Sequence, residues 1–290
     1  MKTTTRYTTT MLTLALLLTL GGCVKDELHD TPHPDTGSIA VTADWTGRGE
    51  GVDIPAEWTV TMGGYTGTET GATHSPDYLF APGSYTLAVY NPADGITVSG
   101  TTATVAAADG GCIVNTPGWF FTSVQEVEIA ADTDYSLTAA MHQQVRELTL
   151  VIEPTGDAAD RIGSITGTLS GAAGSLDFAT GTHGTPSEVK LHFTKITEGD
   201  DAGKWTATVR LLGIAGDAQR LTATLTYTDG NPQPTSLISD LTAALDGFND
   251  DKTTPLTLGG TLAETPDEAG FTGEITGWEK VDGGNVDAEM

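Results

Sequence analysis

The most reactive side chains in this sequence are two cysteines, and the first occupies a special position. Cys23 follows an apolar stretch over residues 11–20, and the seven residues at the start of the chain carry two basic side chains and no acidic one. A permanent transmembrane helix takes about 20 apolar residues, so this stretch is too short to be one. The pattern predicts a signal peptide over residues 1–22 that is removed from the mature chain.

The residues at the predicted cleavage point are Leu20, Gly21, Gly22 and Cys23. This run resembles the lipobox of bacterial lipoproteins, in which signal peptidase II cuts before the cysteine and its sulfur carries a diacylglycerol. The small residues at 21 and 22 would let the peptidase close around the backbone. We therefore expect lipidation at Cys23 and attachment to the outer membrane. The alternative is an ordinary secretory signal followed by a chance cysteine.

Residues 23–36 contain Pro, His and acidic residues with almost nothing apolar, and we predict a flexible tether. The run Lys25, Asp26 and Glu27 lies directly behind the predicted lipid site. A charged, acid-rich run at this place resembles the surface-export signal of Bacteroidetes lipoproteins. The alternative is that these charges only keep the tether solvated.

No motif elsewhere in the sequence supports catalysis. It contains no Gly-x-Ser-x-Gly, no His-Glu-x-x-His and no Walker loop. Adjacent acids occur in several places but lack the spacing of a calcium-binding loop. We therefore expect no enzyme activity, no metal, no cofactor and no small-molecule substrate. Cys112 has no intramolecular partner if Cys23 is lipidated, and we expect it to be a buried, inert thiol.

The charge balance limits the possible partners. The chain has 39 acidic and 13 basic residues, a formal net charge of −26. Such a surface repels phosphate backbones and anionic headgroups. Nucleic acid, and a membrane held by charge alone, are therefore not expected as partners.

The sequence predicts an all-β fold. It is rich in glycine, with 36 residues, and short segments with a two-residue period recur along it. Such segments, with turn residues between them, are typical of antiparallel β-sandwiches. The predicted strands are 38–45, 57–62, 82–92, 96–98, 103–107, 119–121, 124–129, 135–141, 146–153, 162–169, 175–178, 189–195, 205–212, 220–227, 256–262 and 271–278. The single predicted helix is 235–248. Its apolar side chains fall at three- and four-residue intervals on one face: Leu237, Ile238, Leu241, Ala244, Leu245 and Phe248.

These segments divide the mature chain into two sandwiches. We place the N-terminal domain at 37–142 and the C-terminal domain at 143–281, and no long linker separates them. Residues 282–290 are acidic and almost free of apolar side chains, so we predict a disordered tail.

Several strand and turn segments of the second half follow one another in a characteristic order: 146–152, 161–177, 205–214, 221–230, 245–249 and 271–279. In these segments the chain resembles the fimbrial anchor and minor-subunit family of Bacteroidales type V pili. The first half agrees more loosely, through residues 82–91 and the tether. These segments are patterns of strands and turns and include no catalytic motif.

The resemblance implies two tandem transthyretin-like sandwiches and a role as anchor or accessory subunit of a fimbrium at the cell surface. It also implies that the partners are other fimbrial subunits, joined by addition of a β-strand to an exposed sheet edge. Stalk subunits of the family are generally cut after an arginine near their N-terminus, and Arg48 is the matching position. A cut there would release the fold from its lipid and remove residues 37–48, so an anchor should avoid it, whereas a stalk or tip subunit would need it. The sequence leaves both open.

A second function class stays open. A surface glycan-binding lipoprotein of a polysaccharide-utilisation system would share the signal, the tether and the all-β fold. Its binding platform would need exposed aromatic side chains, and Trp119, Phe120 and Phe121 form the only aromatic cluster beside a loop.

Overall fold

The computed structural model describes residues 35–108, 111–156, 159–228, 230, 233–267 and 270–281, with the backbone alone for 264–267 and 270–272. The predicted signal peptide, nearly all of the tether and the predicted tail lie outside these residues. The described chain is all-β, with a single 3-10 turn at Ala159–Arg161. Its nineteen strands are β1 (Gly37–Asp44), β2 (Trp58–Met62), β3 (Tyr65–Glu69), β4 (Thr73–His74), β5 (Gly83–Tyr90), β6 (Ile96–Ser99), β7 (Thr102–Val105), β8 (Cys112–Ile113), β9 (Phe121–Ile129), β10 (Thr133–Ala140), β11 (His142–Gln143), β12 (Arg146–Pro154), β13 (Ile162–Asp177), β14 (Thr182–Lys195), β15 (Trp205–Leu211), β16 (Arg220–Tyr227), β17 (Thr235–Asp240), β18 (Leu256–Asp267) and β19 (Gly270–Lys280).

The first half of the described chain builds two facing sheets. One has three strands in the order β10-β1-β4, and the other has five in the order β11-β9-β5-β2-β3. Between them lies a core that includes Val41, Trp58, Phe80 and Phe121. These side chains come from both sheets, so the arrangement is a β-sandwich.

The second half contributes the path β17-β16-β13-β14-β15-β12-β18-β19. Strands β6 and β7 form a hairpin that joins it, because β7 pairs with the end of β13, and β8 pairs with β14. Side chains of the first half, among them Val105, Ile113 and Phe120, therefore belong to the second core. The predicted boundary at 142/143 stays a prediction, and the two halves share sheet and core across it.

Most neighbouring strands are antiparallel, as predicted, but three pairs are parallel: β1 with β10, β12 with β18, and β8 with β14. An alternating pattern reports which side chains face the core and says nothing of strand direction, so the sequence could not reveal this. The segments 162–169 and 175–178, predicted as separate strands, are one bent strand. A register shift between Leu169 and Ala172 and a positive φ at Gly171 mark the bend.

The predicted helix at 235–248 is wrong. Thr235–Asp240 is strand β17, which pairs with β16, and residues 242–250 form a series of turns. Ile238, predicted on the apolar helix face, is 69% exposed, whereas Leu241, Leu245 and Phe248 are fully buried. In these turns a single backbone hydrogen bond has the i to i+4 spacing of an α-helix, the bond from Leu245 N to Leu241 O.

Candidate functional site

Strand β1 is the element that connects the fold to the predicted lipid site, and it lies in the middle of its sheet. On one side it pairs with β10 along its whole length, from Gly37 with Thr133 to Asp44 with Ala140. On the other side it pairs with β4 only at Val41 and Thr42. β1 is thus held firmly along one edge and weakly along the other.

The inward side chains of β1 fill part of the first core. Ile39, Val41 and Ala43 are buried and contact the cluster that contains Trp58 and Phe121. Removal of β1 would therefore open an apolar groove between β10 and β4.

The weak edge of β1 has two further backbone contacts and a gap. Ala43 N donates to Ala72 O at 3.1 Å, next to the pairs with β4. Gly37 and Phe80 exchange two backbone hydrogen bonds, of 2.8 and 2.9 Å. Between this contact and the two pairs with β4, no backbone partner reaches residues 38–40 on this side within the described chain. An extended segment could add there, because an unpaired strand edge offers free backbone donors and acceptors.

Strand β4 is held in place by side chains. The ring of His74 shares a 2.7 Å hydrogen bond between Nε2 and the Tyr65 hydroxyl, and its Nδ1 lies 3.5 Å from Glu69 Oε2. Hydrogen bonds from the backbone N–H groups of Gly71 and Thr70 lower the pKa of Glu69. β4 is therefore attached to the fold mainly through its side chains and the turn before it.

Arg48 lies in the loop that follows β1, and its exposed side chain folds back onto this loop. Its Nε donates to Val52 O at 3.0 Å, and its Nη1 donates to Trp45 O at 3.0 Å. The backbone makes two further turn bonds, from Arg48 N to Trp45 O and from Val52 N to Gly49 O, each 3.3 Å long. The predicted cleavage site is thus present in a closed loop.

The peptide bond after Arg48 is buried. Gly49 N donates to Gln143 Oε1 at 2.9 Å, and a Cβ at Gly49 would lie only 2.5 Å from Thr253 O. Gln143 is 5% exposed, and its Nε2 donates to Val145 O and Lys252 O at 2.9 and 2.5 Å. Proteases favour exposed, mobile backbone, so this bond is protected as long as the loop stays closed.

The loop over residues 248–255, which we call the junction loop, packs against the end of the first half. The buried Arg146 guanidinium donates from Nε to Thr254 O at 2.7 Å and from Nη1 to Phe248 O at 2.9 Å. Burial lowers the pKa of Arg146, and the charges of Asp251 and Asp250 oppose this shift. These two hydrogen bonds thus hold the junction loop against Arg146 near both of its ends.

Two charged residues of the junction loop have strongly shifted pKa values. Burial acts to raise the pKa of Asp251, but hydrogen bonds from Thr254 and Thr253 lower it to about 2. Burial lowers the pKa of Lys252 to about 8, and its Nζ donates to Gln144 Oε1 at 2.7 Å. Gln143 and Gln144 were not among the predicted site residues, because an isolated pair of glutamines at a junction carries no motif.

The other predicted positions have different outcomes. Leu20, Gly21, Gly22, Cys23, Lys25, Asp26 and Glu27 lie outside the described residues. Cys112 is a free thiol, and it is half-buried, which is less than predicted. Within the described ranges, no three His, Cys, Asp or Glu side chains could hold a metal ion together, and no helix is long and apolar enough to span a bilayer.

The aromatic cluster considered as a glycan platform is part of the core. Phe120 and Phe121 are fully buried, and they belong to the second and the first core, respectively. Trp119 is half-buried, touches both cores, and has the Arg210 guanidinium 5.4 Å from its ring centroid. The buried rings of Phe120 and Phe121 agree with a strand start in the core, which is the simpler interpretation of these residues, and they do not support the alternative of a stacking platform.

A comparison with protein families identifies the group of proteins to which this fold and chain belong. The family model described as fimbrillin-A associated anchor proteins Mfa1 and Mfa2 matches residues 60–283. The chain belongs to this family of fimbrial anchor proteins. The match covers the weak edge's partner β4, the junction loop and Gln143, whereas β1 and Arg48 precede it. A search of curated proteins finds no match.

Solved structures agree with this anchor-protein family in fold. A proposed adhesin from Bacteroides ovatus has a TM-score of 0.57 at 16% identity, covering 89% of this chain and 98% of its own. The fimbrial anchor protein Mfa2 from Porphyromonas gingivalis has a TM-score of 0.54 at 15% identity, covering 84% and 97%. A proposed polysaccharide-binding protein from Bacteroides thetaiotaomicron has a TM-score of 0.54 at 11% identity, covering 84% and 98%.

Membership of the anchor-protein family has three consequences. It places the chain at the cell surface, in a fimbrium, and makes other fimbrial subunits its partners. The family is one of fimbrial anchor proteins and is not a family of enzymes. It confirms the resemblance that the strand and turn patterns suggested.

Proposed function

We propose that this anchor-protein family member is a non-enzymatic lipoprotein, held in the outer membrane through Cys23, that serves as anchor or accessory subunit of a type V fimbrium. The observation that carries the proposal is the closed Arg48 loop, in which the peptide bond after Arg48 is buried. An anchor must keep β1, because β1 connects the fold to the lipid. Gln143 and Thr253 cover the bond whose cleavage would separate them.

The lipid attachment is tested by replacing each cysteine in turn. Cys23→Ala should leave the protein unprocessed by signal peptidase II or released from the membrane fraction, and fimbriae should appear in the medium. Cys112→Ala is the matched control, because it removes the other cysteine of the sequence, and it should fractionate with the outer membrane. A Cys23→Ala protein that stays in the outer membrane at the mature mass would refute the lipoprotein assignment.

Retention of β1 is tested by the N-terminus of the protein recovered from cells. A mature chain that begins at Cys23 agrees with an anchor. A chain that begins at Gly49 has lost β1 and its lipid, and it would identify a stalk or tip subunit instead.

We place strand addition at the weak edge of β1. An incoming strand from another subunit would displace the two-residue pairing with β4 and pair with residues 38–42, so that it takes the place of β4 in the three-stranded sheet. Main-chain hydrogen bonds give about 0.5–1.5 kcal/mol each, so the new strand needs only a few pairs to outcompete β4.

A reversible cross-link can test this placement. The hydroxyls of Thr42 and Thr73 lie 2.9 Å apart on neighbouring strands, so Thr42→Cys with Thr73→Cys should form a disulfide that locks β4 onto β1. The oxidised protein should fail to retain fimbriae, and reduction should restore retention.

The matched control is Thr149→Cys with Thr208→Cys. These two hydroxyls are also 2.9 Å apart, but they join β12 to β15 in the second half. This control should retain fimbriae in both redox states. Normal retention by the oxidised Thr42–Thr73 variant would place strand addition at another edge.

A further inference from the structure

The two residues of strand β4, which an incoming strand would displace, face opposite ways. Thr73 is exposed, and its hydroxyl lies beside that of Thr42 on the outer face of the sheet. His74, which pairs with Val41, is 9% exposed and points into the sandwich. The space that the His74 ring occupies, which we call the His74 slot, would therefore become vacant when β4 leaves.

The walls of the His74 slot are aromatic and belong to the opposite sheet. The centroid of the Trp58 ring on β2 lies 6.2 Å from that of the His74 ring, and the two rings meet edge to face. The centroid of the Tyr65 ring on β3 lies 5.9 Å from the same ring. Gly67 makes room between them, because a Cβ there would lie only 2.7 Å from His74 Nε2. The slot thus has the shape of a small flat ring.

Two polar groups in the slot face the two nitrogens of the imidazole. The Tyr65 hydroxyl lies 2.7 Å from His74 Nε2, and Glu69 Oε2 lies 3.5 Å from His74 Nδ1. The other oxygen of Glu69, Oε1, accepts from the backbone N–H groups of Thr70 and Gly71 at 2.8 and 2.7 Å. These bonds orient the carboxylate as an acceptor for a ring N–H, and a tyrosine hydroxyl can either donate or accept.

The shape of the slot does not depend on β4. Its walls and both polar groups lie on β2 and β3, which pair with each other at five positions. The Trp58 indole N–H donates to Gly71 O at 2.8 Å, so the turn before β4 is held as well. Residues 75–79, which follow β4, are mostly exposed. β4 can therefore move away between a fixed turn and an exposed segment while the slot keeps its form.

An imidazole fits this slot better than other side chains of similar size. A phenylalanine ring could lie between the aromatic walls, but the Tyr65 hydroxyl and Glu69 Oε2 would lose their partners, which is costly in a partly buried site. A lysine could reach Glu69, but its flexible chain offers no flat ring to the walls. The slot therefore selects for histidine.

We propose that the incoming strand carries a histidine that enters the His74 slot in place of His74. This inference rests on the proposed function, in which strand addition at the weak edge displaces β4. The histidine would stand opposite Val41, and an apolar residue two positions along the incoming strand would face the first core on the same side. In strand addition the main-chain hydrogen bonds give affinity and the side-chain pockets give specificity. The partner is thus a fimbrial subunit whose assembling strand alternates polar residues with a histidine and apolar side chains.

The test uses the whole mature protein with Thr42→Cys and Thr73→Cys, and fluorescein-labelled peptides of sequence Thr-Val-Thr-X-Thr-Val-Thr. This sequence reads the same in both directions, so the peptide can add in either direction with X facing inward. Fluorescence polarisation should show that the reduced protein binds the X = His peptide about tenfold or more tightly than the X = Phe peptide, because the ring nitrogens meet both polar groups. The oxidised protein should bind neither peptide, because the disulfide keeps β4 and His74 in place.

A pair of matched variants tests the contact with Glu69. Glu69→Gln keeps the size of the side chain but removes its charge, and it should reduce the preference for the histidine peptide to less than about threefold, because charge-assisted hydrogen bonds are the stronger ones. Glu188→Gln is the control. It lies at an exposed position on β14 in the second half and should leave the preference unchanged.

The possible failures can be told apart. Equal binding of the two peptides by the reduced protein, or the same preference in Glu69→Gln and Glu188→Gln, would overturn the histidine slot and leave strand addition at the weak edge intact. No binding of the histidine peptide to the reduced protein would also overturn the slot, and the fimbrial retention experiments would still test the edge. Binding that persists in the oxidised protein would refute the placement of strand addition at β4, and the slot with it.

Discussion

Strands β1 and β12 open the two halves of the fold, and they are held very differently. Each has a parallel partner, β10 for β1 and β18 for β12. β12 also has a full antiparallel partner on its other edge, with seven pairs to β15 from Arg146 to Ile152. On its other edge β1 has two pairs with β4, one hydrogen bond from Ala43 N to Ala72 O, and one contact with Phe80. Both strands therefore have a full parallel partner on one edge, but only β12 is also fully paired on its other edge.

This difference suggests which strand can take part in assembly. β12 buries Leu148, Leu150 and Ile152 completely and cannot be exposed without loss of the second core. β1 buries smaller side chains and leaves an edge for another strand. Assembly at β1 is thus compatible with a stable remainder of the protein.

The largest expected effect comes from truncating an equivalent isoleucine in each strand. Ile152→Ala should reduce the free energy of unfolding by about 2–5 kcal/mol, because it leaves a cavity in the second core. Ile39→Ala should cost less, because the neighbouring edge of β1 is open and can adjust. Urea unfolding measures both values. An equal or larger loss for Ile39→Ala would mean that β1 is as firmly held as β12.

The next effect concerns the closed Arg48 loop. Gln143→Ala removes the acceptor of Gly49 N, and trypsin should then cut after Arg48 about tenfold faster or more, because local opening becomes easier. The new N-terminus at Gly49 is read by mass spectrometry. Gln125→Ala, on β9 and away from the loop, is the control and should leave the rate unchanged. Rapid cutting of the unmodified protein would show that the loop does not protect β1.

The smallest effect is the pH dependence contributed by the junction loop. Lys252 has a folded pKa of about 8 against an ordinary value of 10.5, so its burial destabilises the fold below pH 8. Between pH 8 and 10.5 the unfolded chain binds more protons than the folded one, so this penalty disappears as the pH rises.

Lys252→Met should therefore be more stable than the unmodified protein at pH 7, and the difference should shrink between pH 8 and 10.5. Urea unfolding at several pH values measures it, with Lys190→Met, at an exposed position on β14, as control. A difference that stays constant with pH would mean that Lys252 is not buried as a cation.

Much of the fold could be predicted from the sequence because the core strands alternate visibly. β1 has buried residues at 37, 39, 41 and 43, and this alternation is visible in the sequence. β3 is not predicted, because its residues are all half-buried or exposed and include no apolar alternation. β17 is predicted as a helix, because its second inward residue, Ser239, is polar and the helical spacing of Leu237, Leu241 and Leu245 is the stronger signal.

The candidate site was harder to predict, because it depends on contacts between distant residues. Arg48 could be selected by its place after the first strand, but its loop is closed by Gln143, which is 94 residues beyond Gly49 in the chain. The weak pairing of β1 with β4 likewise depends on how these two strands are aligned in space. Local sequence patterns contain neither kind of information.

The parallel pairing of β1 with β10 has a mechanical consequence for a protein held at its N-terminus. A pull on Gly37 along β1 loads all eight rungs of this ladder together in shear, instead of opening them one after another. Rupture under such a load is governed by an unfolding rate and not by equilibrium stability. A strand that is easily joined along its free edge could thus still carry the tension of a fibre through its other edge.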